Sequence, residues 1–218
     1  MTELILASAS PRRQALMRLL GLPFRVMVAD VDEDSITDPD PAVNVIETAR
    51  LKAVTIAARC TDPVIIIASD TTVALEGQML NKPMDEEEAW AMLLALRGRV
   101  HHVHTGLVLF NTATRQMLTD VATVPVPMRY YQDEEVAAYI ATGDPMDKAG
   151  AYAIQHEQFQ PVSQLHGCYA GVMGFPLCHL TRALRQMGVV VEVDIAAACQ
   201  QHIQYNCSIY PTILPLNR

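Results

Sequence analysis

Short unbroken apolar runs alternate along this chain with stretches whose apolar residues recur every three or four positions, the mark of strands interleaved with helices. Residues 4–7 form the first run and predict a buried strand. Ser10 then reads as an N-cap, and Pro11 falls at the first helical position, where its missing N–H costs nothing. Residues 24–29 predict a second strand and residues 30–40 an acidic loop. Asp40-Pro41 repeats the cap-plus-proline start, and Ile46, Ala49, Ala53 and Ile56 keep helical spacing to about Arg59. Residues 64–68 are continuously apolar, the pattern of a strand buried on both faces. Asp85 with Glu88 predicts the capped start of a helix ending near Gly98. Residues 100–110 and 121–129 predict a long hairpin, with Pro125 and Pro127 pushing its second strand to an edge. Asp133 predicts the cap of a short helix stopping at Gly143. Pro176 opens another, with Leu177, Leu180, Leu184 and Met187 on one face and Gly188 at its end. The expected fold class is α/β, as a single domain over residues 1–218 with a cleft and without repeats or linkers.

At 218 residues the chain can bury one substantial core, or one core divided into two lobes. Half of its residues are hydrophobic and 18% are charged, so a globular fold is expected rather than disorder. The net charge of -8 argues against a general nucleic-acid binder, which needs a basic face to displace counterions from phosphate. A small anionic substrate stays open, because a few local cations with a metal reverse the local field. No apolar run approaches the length of a membrane span. The arginines follow the first apolar run instead of preceding it, the wrong order for a secretory signal, so a cytoplasmic location is expected. The five cysteines are Cys60, Cys168, Cys178, Cys199 and Cys207, and none forms a C-x-x-C pair. They predict reduced, mostly buried thiols; a Cys199–Cys207 bridge, or a metal shared with His202, is the weaker reading.

Candidate chemistry begins at Arg12 and Arg13, which stand in a first helical turn where cations are disfavoured by the helix dipole. Positive charge on an already positive helix end makes sense if an anion binds there; the alternative is a capped surface helix with two solvated arginines. Asp70 directly follows an apolar strand run and precedes Thr71 and Thr72, at the strand end where open α/β sheets place ligand groups. A carboxylate there can bind a divalent cation, accept a proton from water, or merely form a turn. Lys82 lies between Asn81 and Pro83, whose ring favours an extended backbone and a presented cation, although a solvated loop lysine is the plainer alternative. Asp32-Glu33-Asp34 reads first as a solvated acidic loop. His101, His102 and His104 lack a Glu or Cys that would complete a ligand spacing, and read as strand and core histidines. There is no dinucleotide-binding glycine fingerprint, P-loop or nucleophile elbow, so Ser8 and Ser10 read as turn, cap and phosphate-contact residues.

Taken in order, Ser8-Ala9-Ser10-Pro11-Arg12-Arg13, Ile65-Ile66-Ile67-Ala68-Ser69-Asp70-Thr71-Thr72-Val73 with Asn81-Lys82-Pro83, and Asp147-Lys148-Ala149-Gly150-Ala151-Tyr152-Ala153-Ile154-Gln155 resemble the Maf family of nucleoside triphosphate pyrophosphatases. His166-Gly167-Cys168-Tyr169 and Val172-Met173-Gly174-Phe175-Pro176-Leu177 match its C-terminal pattern, and the resemblance runs from about residue 4 to about residue 184. It implies an elongated, two-lobed Maf/ITPase-like α/β fold around a twisted mixed sheet with a central cleft. It implies hydrolysis of a nucleoside triphosphate between the α- and β-phosphates, assisted by Mg2+ or Mn2+. Asp70 would then be the general base and, with Glu33, a metal ligand, while Lys82 meets the phosphates or the leaving pyrophosphate. Ser8, Ser10, Arg13 and Lys52 would meet phosphate, Arg12 would bind substrate too, and Asp147 and Lys148 fall near the cleft without separate roles.

Arg12, Thr71 and Gln155 resemble the group within the family that acts on dTTP and UTP. Gln155 offers the donor and the acceptor that a pyrimidine edge requires, and Arg12 can supply fixed donors to a carbonyl. Leu51 and His156 depart from the family pattern, and an extension over residues 193–218 passes the matched region. Its Asn206-Cys207-Ser208 would accept a glycan only in a secreted protein. The implied partner is the triphosphate, with no nucleic-acid polymer and no membrane; a homodimer is compatible. The rival reading is a nucleotide-binding regulator of cell division and septum formation, which would keep the arginines but would not require Asp70.

Overall fold

The apolar runs become the strands of one six-stranded mixed sheet in a computed structural model that describes residues 2–214. Residues 215–218 of the expected extension, and Met1, lie outside the described residues. The strands are β1 (Glu3–Leu6), β2 (Phe24–Val26), β3 (Val64–Leu75), β4 (Gln78–Leu80), β5 (Val100–Asn111) and β6 (Met117–Pro127). Their order is β2-β1-β3-β5-β6, with β4 also paired to β3. β1 runs parallel to β2 and β3, while β3–β4, β3–β5 and β5–β6 are antiparallel. The proline-bearing β6 is an edge strand, as expected of a segment that cannot donate fully to two ladders.

The helices are α1 (Pro11–Arg18), α2 (Pro41–Ala57), α3 (Glu86–Leu96), α4 (Asp133–Ile140), α5 (Tyr169–Val172), α6 (Leu177–Gln186), α7 (Ile195–Ile203) and α8 (Tyr210–Ile213). Asp40 accepts from Ala42 N and Val43 N, and Asp85 from Glu88 N, so both predicted acidic caps are made. At α4 the cap is Gln132 rather than Asp133, because Gln132 and Glu135 satisfy each other's backbone N–H groups in a capping box. β2 also stops at Val26, short of the predicted Ala29.

Alternation along β3 sorts its side chains to two cores. Val64, Ile66 and Ala68 pack with Ala49, Ala53 and Ile56 of α2. Ile65, Ile67, Val73 and Leu75 join the larger core with Leu16, Leu93, Phe175 and Leu180. The chief departure from expectation is the length of β3, which continues through the polar stretch 69–72 to Leu75. Unbroken pairing with β5, from Ile65↔Asn111 to Ala74↔His102, carries it on. Asp70 is therefore in mid-strand, opposite Gly106, and not at a strand end. A Cβ on Gly106 would sit 2.6 Å from the Val45 carbonyl oxygen, so α2 meets β5 there backbone to backbone.

The two kinds of pairing leave a seam. Register between β1 and β3 ends at Leu6↔Ile67, and that between β3 and β4 begins at Val73↔Leu80. Between them β3 is laddered only to β5, and this open edge faces the cleft.

Candidate active site

α1 begins in a tight polar turn: Ser8 Oγ accepts from Ser10 N at 3.2 Å, and Ser10 Oγ accepts from Arg13 N at 3.4 Å. The Arg13 side chain then crosses the open edge of β3. It donates to the Ser69 carbonyl at 2.7 Å, the Gly174 carbonyl at 3.0 Å and Thr71 Oγ1 at 3.1 Å. At Ser69 the guanidinium stands where a neighbouring strand would otherwise donate. Three of its five N–H donors serve the fold. Burial lowers the Arg13 pKa, against the opposing pull of Asp70 and Glu33.

α2, held close by Gly106, delivers Lys52 to the opposite face of β3. Its buried ammonium donates to Asp70 Oδ1 at 2.7 Å and pairs with Glu33 Oε1 at 2.8 Å. The exposed Lys82 reaches Glu33 Oε2 at 3.8 Å. Partial burial pushes the Glu33 carboxyl up, but its hydrogen bond to Lys52, with the charges of Lys52, Lys82 and Arg13, holds it below the ordinary carboxylate value. The acidic loop is thus drawn into the cleft at Glu33 by a short 3-10 turn, Glu33–Ser35, capped by Asp32.

The far wall comes from the turns Asp144–Asp147 and Ala149–Ala151. Lys148, with 7% exposure, gives its ammonium to the Asp144 carbonyl (2.5 Å), Asp144 Oδ1 (2.9 Å) and Asp147 Oδ1 (2.5 Å). All three of its donors are engaged, so Lys148 works here as an internal strut. Tyr139 extends the brace: its hydroxyl donates to Asp144 Oδ2 at 2.8 Å and accepts from Ala153 N at 3.0 Å. Gln155 projects half-buried at the cleft, whereas His156 packs its ring on Tyr139 and accepts from Phe159 N at 3.0 Å. The departure at His156 therefore leaves the lining of the cleft to Gln155.

The cleft has a volume of about 1170 Å³, somewhat above the usual range for small-molecule sites. Ser8, Ser10, Arg12, Arg13, Glu33, Lys52, Asp70, Thr71, Lys82 and Gln155 all line it. Asn44, Thr48 and Asp144 line it too, and no motif points to them. The one available signal was Asp144 standing four residues before Lys148.

Among the described residues, no group of three or more His, Cys, Asp or Glu is gathered to hold a metal ion alone. Asp70 and Glu33 nevertheless converge on one cation, Lys52. Two carboxylates suit a hard divalent cation that takes its other ligands from phosphate and water. The histidines lie elsewhere: His101 is buried 2.8 Å from the Tyr152 hydroxyl, and burial pushes its pKa down to about 4. The five cysteines are free thiols, and Cys168 caps α5 by accepting from Gly171 N. No helix among the described residues is long and apolar enough to cross a membrane.

The family model for Maf-like proteins matches residues 3–187. A dTTP/UTP pyrophosphatase of Geotalea uraniireducens is 41% identical over 189 residues, covering 87% of this chain and 97% of its own. One from Pelotomaculum thermopropionicum is 41% identical over 188 residues, covering 86% and 98%. Among solved structures, a nucleoside-triphosphatase / dITP/XTP pyrophosphatase of Mycobacterium abscessus aligns with a TM-score of 0.43 and 12% identity, over 85% of this chain and 97% of that one. A backbone likeness of that size bears on neither activity nor substrate.

Proposed function

The chain belongs to the Maf-like protein family, and from that premise we propose that it hydrolyses nucleoside triphosphates, dTTP and UTP foremost, to the monophosphate and pyrophosphate in the cytoplasm. The observation that carries this reading is the pair of carboxylates, Asp70 and Glu33, sharing Lys52 across the cleft from the N-terminus of α1. A triphosphate needs cations and N–H donors along its length and a carboxylate near the phosphorus under attack. Arg13 and Lys82 supply the positive side, reinforced by the helix end. Lys52 orients the Asp70 carboxylate through Oδ1, and Asp70 takes the proton from the attacking water. Asp70 and Glu33 would also hold a divalent cation, Mg2+ or Mn2+, which when bound neutralises charge on the phosphates. The base is met by Gln155, whose amide carries both a donor and an acceptor, and by Arg12.

The test is pyrophosphate release from UTP, dTTP, GTP, ATP and 7-methyl-GTP, with Mg2+, Mn2+ or EDTA present. UTP and dTTP should show the highest kcat/KM, and EDTA should abolish turnover. Asp70→Asn should lower kcat on the order of a hundredfold while nucleotide still binds. Binding without turnover in the unaltered protein would instead support the regulator of division. A purine as best substrate would overturn the specificity and leave the reaction class intact.

A further inference from the structure

Past residue 187, where the family match ends, the chain turns back over its own cleft wall. After α7, Gln204 adopts a left-handed conformation, φ 56°, which turns Tyr205 toward the segment 165–167. The Tyr205 hydroxyl donates to the Leu165 carbonyl at 3.0 Å and accepts from Gly167 N at 3.3 Å. Its ring lies against that of Tyr169, centroids 5.4 Å apart. The turn that presents Tyr205 is itself closed by Gln200, whose carbonyl accepts from Tyr205 N and whose side chain accepts from Cys207 N. Further on, Arg182 ties α6 to the Ile213 carbonyl.

From the other side, segment 165–167 is pressed against the sheet. A Cβ on Gly167 would lie 2.6 Å from a methyl of Val124 on β6. The segment is thus gripped between β6 below and Tyr205 above. It leads directly into α5, through the Cys168 cap, and α5 ends in Val172 and Met173, which line the cleft. The next residue, Gly174, offers the carbonyl that Arg13 and Ser69 Oγ both hold.

We infer that Tyr205 is a positioning residue for the nucleotide cleft, setting the wall 172–174 through segment 165–167 and α5. The inference rests on the hydrolase reading for its kinetic arm. The hydrogen-bond and ring partners of Tyr205 are Leu165, Gly167 and Tyr169, none of which lines the cleft, so its effect travels through the backbone it holds. Losing the hydroxyl frees the segment without removing the ring, and the wall that meets the nucleotide loosens. Binding should suffer more than the chemical step, because Asp70 and Lys52 lie on β3 and α2.

The experiment compares the unaltered chain with Tyr205→Phe, and with Gln201→Ala on the exposed face of α7 as control. Steady-state UTP hydrolysis is read beside hydrogen–deuterium exchange of residues 165–175. Tyr205→Phe should raise KM about two- to tenfold, the range for a lost neutral hydrogen bond, with kcat nearly unchanged and faster exchange in that segment. Gly167→Ala, which displaces the segment from the sheet side, should move KM the same way. An unchanged KM in Tyr205→Phe, whatever its Tm, overturns the inference, and so does a raised KM with unchanged exchange. If the unaltered chain releases no pyrophosphate, the hydrolase reading fails, while the exchange arm still decides whether Tyr205 holds the wall.

Discussion

A single methyl group at Gly106 should disable the site from beneath. Gly106 is the cross-strand partner of Asp70, and an added Cβ would meet the Val45 carbonyl oxygen at 2.6 Å, its carbon at 2.7 Å and Ile46 N at 2.9 Å. These are backbone atoms and cannot rotate away. Moving the closest contact from 2.6 Å to the 3.4 Å of ordinary contact requires α2 to retreat by about 0.8 Å. Lys52 lies two turns along the same face of α2, so its 2.7 Å and 2.8 Å contacts stretch to the edge of hydrogen bonding. Misplacement of about 1 Å costs up to about a hundredfold in rate, so Gly106→Ala should lower kcat/KM for UTP about ten- to hundredfold. Overpacking should also cost about 1–3 kcal/mol of stability, roughly 3–10 °C in Tm for a chain of this size. Gly77→Ala supplies the comparison, since its φ of +85° strains any side chain but nothing lies within 4 Å. Both variants are read by pyrophosphate release and by thermal denaturation. If Gly106→Ala loses stability as Gly77→Ala does yet keeps wild-type kcat/KM, α2 does not carry Lys52 in the way described.

Arg13→Lys should lower the urea midpoint and raise KM together, because one ammonium cannot reach the Ser69 carbonyl, the Gly174 carbonyl and Thr71 Oγ1 at once; wild-type values for both would show that the clamp is dispensable. His101 is held neutral by burial, its pKa falling from 6.5 to about 4, so the unfolded chain binds the proton first as pH drops. Stability is therefore full above pH 6.5 and is lost as pH falls toward 4, by up to about 3 kcal/mol. Urea unfolding at pH 7 and pH 5 should show this loss in the unaltered chain and a shallower one in His101→Gln; equal slopes would contradict it.

What sequence disclosed and what it concealed divide along the range of the interactions. The caps at Ser10, Asp40 and Asp85 are settled within four residues, and the β5–β6 hairpin within one turn, so local pattern was enough. β3 was cut short in the sequence because Ser69, Asp70, Thr71 and Thr72 look like the end of a strand. Only pairing with β5 keeps them extended. The proposed site residues converge because strand, helix and two loops meet, which no single stretch of sequence discloses. Arg13 reads as a phosphate residue from its helix position, but its clamp on Gly174 spans 161 positions of sequence. Lys148 has no separate role in the sequence, and gains one only when Asp144 and Asp147 are seen to occupy its ammonium. Tyr205 carries no motif, and its hydroxyl gains meaning only from two backbone groups far back along the chain.

The seam in the sheet has a mechanical consequence. A sheet resists bending in proportion to its width, and at residues 68–72 it narrows to β3, β5 and β6. At one end β1 and β2 widen it; at the other, β4 lies alongside with the strut of Lys148 nearby. Side chains and α2 bridge this narrow stretch: Arg13 takes the Ser69 carbonyl and Thr71 Oγ1, Lys52 takes Asp70, and α2 lies against Gly106 opposite Asp70. The gap in the ladder thus leaves the edge of β3 open to the cleft while the backbone around Asp70 stays held, so the carboxylate is both reachable and fixed.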